Sequence, residues 1–193
     1  MLYVIEHLEP RLSRWVLIEY EHASMIVGRD NLAFTNVKRG ARKLQRFGVV
    51  YKESAVDLFD DEGTIILDPR ASELLEPSDF KQTNTIIVGG ILGDHPPRGR
   101  TYKLITSRMK KAKAKSLGDG QFSIDGSIYM ALKVSQGFRL EDIPIARGLT
   151  LKCGSLEIHL PFCYPLINGK PVVSPKLLDY LLEKDIIEDG SRS

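Results

Sequence analysis

"IIVGGILGDHPPRGRT" (Ile86–Thr101) is the stretch from which the fold is read. An apolar, buried-type strand runs into Gly89, Gly90 and Gly93. An acid, a histidine, two prolines and a basic segment follow. Gly89 to Arg100 spans twelve residues, whereas strand-to-helix loops usually take about 2–6. A long loop stiffened by prolines tends to carry function. In an open parallel sheet, ligands sit outside the carboxyl ends of the strands, which is where these glycines fall. Glycines let backbone approach a ligand closely. A turn that only needs positive φ angles explains them too. The stretch matches neither the G-x-x-x-x-G-K phosphate loop nor the G-x-G-x-x-G dinucleotide fingerprint.

Working outward, strand and helix patterns alternate. "LYVIEH" (residues 2–7), "NLAFTNV" (31–37), "GTIILDPRA" (63–71) and "TNTIIVGG" (83–90) read as strands. Pro69 closes the third of these. "RLSRWVLIEYEHAS" (11–24) has helical spacing at Leu12, Trp15 and Val16. Residues 38–50 are expected as a basic helix with Leu44 and Phe47 inward. "TYKLITSRMKKA" (101–112) is expected as a helix capped by Thr101. "AKSLGDGQFSIDGSIYMALKVSQ" (114–136) reads as strand, glycine-rich loop and helix starting near Asp125. This order predicts an α/β fold, a mainly parallel sheet with helices on both faces. The C-terminal part differs. "GLTLKCGSLEIHLPF" (148–162) reads as a hairpin turning at Gly154-Ser155, and "INGKPVV" (167–173) carries an Asn-Gly turn. "SPKLLDYLLEK" (174–184) is a final helix capped by Ser174 with Pro175 first. From Ile187 the chain reads as a fraying tail. No repeat or linker divides it, so residues 1–193 are expected to form one domain.

Composition narrows the function classes. The chain is 42% hydrophobic and 27% charged, ordinary for a globular protein. Two cysteines without C-x-x-C spacing argue against a disulfide scaffold and fit a reducing, cytoplasmic setting. No apolar run reaches the roughly 18–20 residues of a membrane span, and the acidic N-terminus does not read as a secretory signal. The four histidines have no ligand spacing, so no metal is expected. Net charge is only +2, but Lys38, Arg39, Arg42, Lys43, Arg46 and Lys52 form one acid-free run. Eight more, from Arg98 to Lys115, form another. Each run alone reads equally as a solvated helix face. Together they suggest a basic surface for RNA or a ribonucleoprotein.

A second loop, "KSLGDGQFSIDGS" (115–127), also follows a strand. Two such loops at one sheet edge can clasp a flat ligand, with Leu117, Phe122 and Ile124 as apolar walls and Gln121 and Ser123 as polar contacts. The pair "IIVGGILGDHPPRGRT" and "SLGDGQFSIDGSIYMALKV" resembles the SPOUT class of S-adenosylmethionine (SAM)-dependent methyltransferases. Nearly the whole chain is similar to the small SPOUT family that includes a eukaryotic protein arginine methyltransferase acting on a small-subunit ribosomal protein. "GGILGDHPPRGRT" is the most specific match. The resemblance implies a C-terminal trefoil knot gripping a bent SAM. It assigns Gly89, Gly90, Ile91 and Gly93 to one cofactor loop, and Leu117, Gly118, Gln121, Phe122, Ser123 and Ile124 to the other.

Methyl transfer requires the acceptor about 3 Å from the sulfonium methyl. An arginine acceptor is protonated and weakly nucleophilic. Acids beside the cofactor loops are therefore expected, since carboxylates hold a guanidinium by paired bonds. Asp94 follows the glycines directly, and Glu6 ends the first strand on the ligand side; both are candidate catalytic residues. Glu19, His95, Arg98 and Arg100 are candidate substrate contacts, and Glu9 is a further acid nearby. Two other readings stay open: an RNA methyltransferase of the same class acting on tRNA or rRNA, and a non-enzymatic ribosome- or RNA-binding module. SPOUT enzymes usually pair as dimers; here the extra C-terminal elements favour a monomer.

Overall fold

A computed structural model of the chain describes residues 1–93, 98–153 and 156–190; for Cys153, Leu156 and residues 184–190 it describes the backbone. The first half builds a parallel sheet. Strand β1 (Leu2–His7) leads into helix α1 (Arg14–Val27), whose first turn is capped by Ser13. β2 (Leu32–Thr35), the single-turn α2 (Ala41–Leu44), β3 (Val49–Val50) and α3 (Ala55–Leu58) follow. β4 (Thr64–Leu67), β5 (Thr85–Gly90), α4 (Arg100–Leu104), β6 (Lys113–Lys115) and α5 (Ile124–Ser135) complete it. The strand order is β3-β2-β1-β5-β4-β6, every pair parallel.

Alternation along the strands feeds two cores. Tyr3, Ile5, Ile65, Leu67, Ile86 and Val88 face α1 and α5. Val4, Ile66 and Ile87 face the other way, toward Ala55, Ile105 and Met109. Ile86 and Ile87 are both fully buried, each worth roughly 1.5–3 kcal/mol of transfer free energy.

The last third is antiparallel. β7 (Ile145–Cys153) pairs with β8 (Leu156–Ile167), with a register shift at Gly148. β8 pairs in turn with β9 (Lys170–Pro171), closing through Asn168 and Gly169, both at positive φ. Helix α6 (Pro175–Gly190) then lays Leu177 and Leu181 on Leu160 and Tyr164 of β8 and Ile18 of α1. Lys176 and Glu21, 2.7 Å apart, tie it to α1 at the surface.

Three expectations are corrected. Residues 38–50 do not form one helix. Gly40 is left-handed, and a side chain at Gly48 would strike the Leu32 carbonyl. That close approach seats Val49–Val50 as an edge strand. Thr101 does not cap α4; left-handed Gly99 does, and Thr101 lies inside the helix. The final helix continues through Ile187 to Gly190. The turn expected at Gly154-Ser155 lies outside the described residues.

The two basic runs do not merge along the sheet: one ends at β3 and the other at β6, its opposite edges. Acids distant in sequence also answer the second run. Asp60 accepts from the backbone of Lys110, Lys111 and Ala112. Lys115 pairs with Glu73 at 2.9 Å and Asp79 at 3.1 Å.

Candidate functional site

At the carboxyl ends of β4, β5 and β6 lies a cavity of about 1050 Å³. Small-molecule sites usually measure about 300–1,000 Å³, so it has room for a nucleoside-sized ligand. Gly89 and Ile91 of the first loop line it, as do Leu117, Gly118, Gln121 and Phe122 of the second. Residues of both glycine loops thus line one cavity.

Its glycines do different jobs. Gly118 has φ +89°, and a β-carbon there would meet nothing within 4 Å, so backbone faces open space. Gly90 lies outside the lining: a β-carbon would strike the Tyr20 hydroxyl and come within 2.8 Å of Ile5, so it serves strand packing. Gly93 is where the loops meet, since a side chain would run into Gln121 and Phe162. Ser123 and Ile124 also miss the main cavity. The Ser123 hydroxyl caps α5, accepting from the Gly126 amide at 3.2 Å, and Ile124 is core.

Arg100 is a strut. It donates to Glu9 at 3.2 Å and to the Leu92 carbonyl at 2.7 Å, while the Leu92 amide donates to Glu9 at 3.0 Å. The first loop is thereby held from both sides. Arg98 lies exposed at the cavity rim.

Sequence reasoning missed part of the wall. Asp68 and Arg70 come from the end of β4, and Arg147, His159 and Cys163 from β7 and β8. "LDPR" at a strand end was a usable signal, because β4 lies beside β5. Nothing local announced the β7–β8 contribution. It depends on the Gln121 carbonyl accepting from the Cys163 amide at 2.7 Å, which docks the second loop on β8.

The predicted acids separate. Glu6, expected to be catalytic, is 1% exposed and lines neither this cavity nor the smaller one beside it. Its carboxylate accepts from the hydroxyls of Thr35 and Ser54, at 2.5 and 2.6 Å, and from the Ala55 amide at 2.8 Å. It clamps β1, β2 and the start of α3, a structural role that corrects the expectation. Asp94 and His95 lie outside the described residues.

Glu19 borders a second cavity of about 170 Å³, with Trp15, Ile91, Leu92, Gly93, Ser123 and Phe162. Ile91 is shared with the main cavity. Glu19 is 3% exposed. It accepts from Trp15 Nε1 at 2.6 Å and from the Ile124 amide at 3.1 Å. Burial, then the charge of Asp125, pushes its carboxyl up to about 8 against those two donors. Asp125, 1% exposed, is held by His22 at 2.6 Å, Ser123 at 2.5 Å and the Gly126 amide at 2.9 Å. Among the described residues, no group of three or more His, Cys, Asp or Glu could hold a metal.

Comparison with known proteins bears on this site. The model of the SFM1-like family, "Protein arginine N-methyltransferase SFM1-like", matches residues 2–188. Protein arginine N-methyltransferase SFM1 of Saccharomyces cerevisiae is 31% identical, covering 96% of this chain and 95% of the relative. The crystal structure of the yeast arginine methyltransferase SFM1 complexed with SAM superposes with a TM-score of 0.86 at 30% identity, over 95% of this chain and 90% of that one. The dual-specific Trm10 from Thermococcus kodakaraensis shares the fold alone, with a TM-score of 0.50 at 18% identity over 61% of this chain and 78% of the other.

Proposed function

The chain belongs to the SFM1-like protein arginine N-methyltransferase family, and from that premise we propose that it transfers a methyl group from SAM to an arginine of a protein. The observation carrying this reading is the clasp of two glycine loops around the large cavity, in a chain alike throughout to a relative whose structure is complexed with SAM. The residues fit that cofactor. Gly89 and Gly118 bring backbone to the ligand, Ile91, Leu117 and Phe122 are apolar walls for an adenine, and Gln121 is a polar contact. When bound, SAM supplies a methyl group on a positively charged sulfur. The protein's work is to orient the acceptor nitrogen and receive its proton.

The substrate proposed is a small-subunit ribosomal protein, and the site of action the cytoplasm. Among the described residues no helix is long and apolar enough to cross a membrane. Asp94, beside the first loop, is proposed to contact the reacting arginine. Residues 1–193 are proposed as one domain with the trefoil knot of the class. A monomer is favoured because β8 and α6 cover α1. Arg98 and Arg147 at the cavity wall favour RNA contact near the substrate, and an RNA acceptor is the second reading. Mass spectrometry of ribosomal proteins from cells with and without the gene tests the first. A methylated arginine that disappears on deletion is expected; an unchanged set of methylarginines would overturn it.

A further inference from the structure

The small cavity beside the cofactor clasp holds a buried acid. Resting on the enzyme reading above, we propose that it seats the substrate guanidinium, with Glu19 the carboxylate that holds it and takes its proton.

The lining suits a flat cation. Trp15 and Phe162 contribute aromatic rings and Leu92 an apolar wall, while Gly93 contributes no side chain. Cations are attracted to aromatic faces, most strongly where water is excluded. At about 170 Å³ the space suits one planar group and little more. Glu19 supplies the charge. A carboxylate offers about four acceptor positions. Among the described residues, Trp15 and the Ile124 amide occupy one on each oxygen, which leaves one on each for the parallel pair of a guanidinium fork. A buried carboxylate without a cation is costly, and an arriving guanidinium removes that cost. Ile91 borders both cavities, so the seat adjoins the cofactor clasp.

The proton balance follows. The reacting nitrogen forms a bond to the methyl carbon, and the pair of the broken carbon–sulfur bond stays on sulfur. The nitrogen's proton passes to ionised Glu19, and a methylguanidinium of unchanged charge remains. Burial and Asp125 raise Glu19 into the range where a base returns its proton near neutral pH. Among the described residues, Asp125 from α5 raises Glu19 from a neighbouring element, Glu19 in turn raises Tyr164 of β8, and His22 sits behind Asp125. Asp125 lines neither cavity, so it is a positioning residue.

Trp15 is the only tryptophan in the chain, so its fluorescence reports on this cavity directly. The experiment titrates N-acetyl-arginine methylamide, and its lysine counterpart, into protein saturated with S-adenosylhomocysteine. A saturable fluorescence change is expected with the arginine compound alone, tightening as pH rises from 6 to 9. Glu19→Gln should weaken it at least about tenfold, the worth of one charge-assisted bond. The pH series on the unaltered protein tests the proposal even if that variant does not fold. Equal responses to arginine and lysine, no saturable change, or pH-independent binding would overturn it. Calorimetry with S-adenosylhomocysteine and a methyl-transfer assay run alongside. Protein that binds this ligand and methylates arginine without any Trp15 response keeps the enzyme reading and loses this one. Protein that does not bind it loses the enzyme reading.

Discussion

Glu6 and Glu19 are both buried glutamates near the cofactor end of the sheet, and they serve opposite ends. Glu6 faces three donors from two elements, β2 and the start of α3, and lines neither cavity. Glu19 faces two donors, a second acid and a cavity. Burial alone therefore does not mark a functional acid. What separates them is the balance of donors against acceptor positions, and whether a cavity meets the remainder. Glu6 is a closed structural joint. Glu19 keeps acceptor capacity that no described residue uses.

The sharpest way to break this contrast is to neutralise Glu19. Glu19→Gln should slow methyl transfer by about 10²–10⁴-fold, the usual worth of a positioned base. Calorimetric affinity for S-adenosylhomocysteine should change less than about twofold. The mirror experiment removes Glu6. Glu6→Ala strands two hydroxyls and an amide in the core, which should cost roughly 3–5 kcal/mol in urea unfolding. Transfer per folded molecule should stay unchanged. If Glu6→Ala instead removed activity from fully folded protein, the two roles would not be distinct.

A pH series separates them on stability. Glu19 titrates near 8 when folded and near its ordinary 4.5 when unfolded. Between those values the folded state holds a proton that the unfolded state releases. The stability linked to Glu19 is therefore full below about pH 4.5 and lost as pH rises through 8. Unfolding free energy should fall across that window, and Glu19→Gln should flatten the slope. The smallest effect concerns the clasp. Gly118→Ala adds a methyl group facing the cavity at φ +89°. It should weaken cofactor binding by about tenfold and cost roughly 1 kcal/mol of stability.

Much of this was legible in the sequence. The strand ending at Gly89-Gly90 and the "SLGDGQF" loop do meet at one sheet edge. Alternating strand and helix patterns gave the parallel sheet, because period is a local property of the chain. What was not legible depends on distant partners. Glu6 looked like a site acid until Thr35, Ser54 and Ala55 closed around it. The run from Arg98 to Lys115 looked like a free basic face until Asp60, Glu73 and Asp79 met it. Residues 38–50 carried helical spacing, yet close backbone packing at Gly48 turned Val49–Val50 into a strand. Local spacing cannot report which donors or acids tertiary packing brings near a given residue.

The central claim is the identity of the acceptor. Purified protein is incubated with methyl-labelled SAM and small ribosomal subunits, and the product is divided between protease and ribonuclease. The expected label is released by protease, stable to ribonuclease and recovered as methylarginine after hydrolysis. Label that follows the RNA, or no transfer by protein that binds S-adenosylhomocysteine, would contradict it.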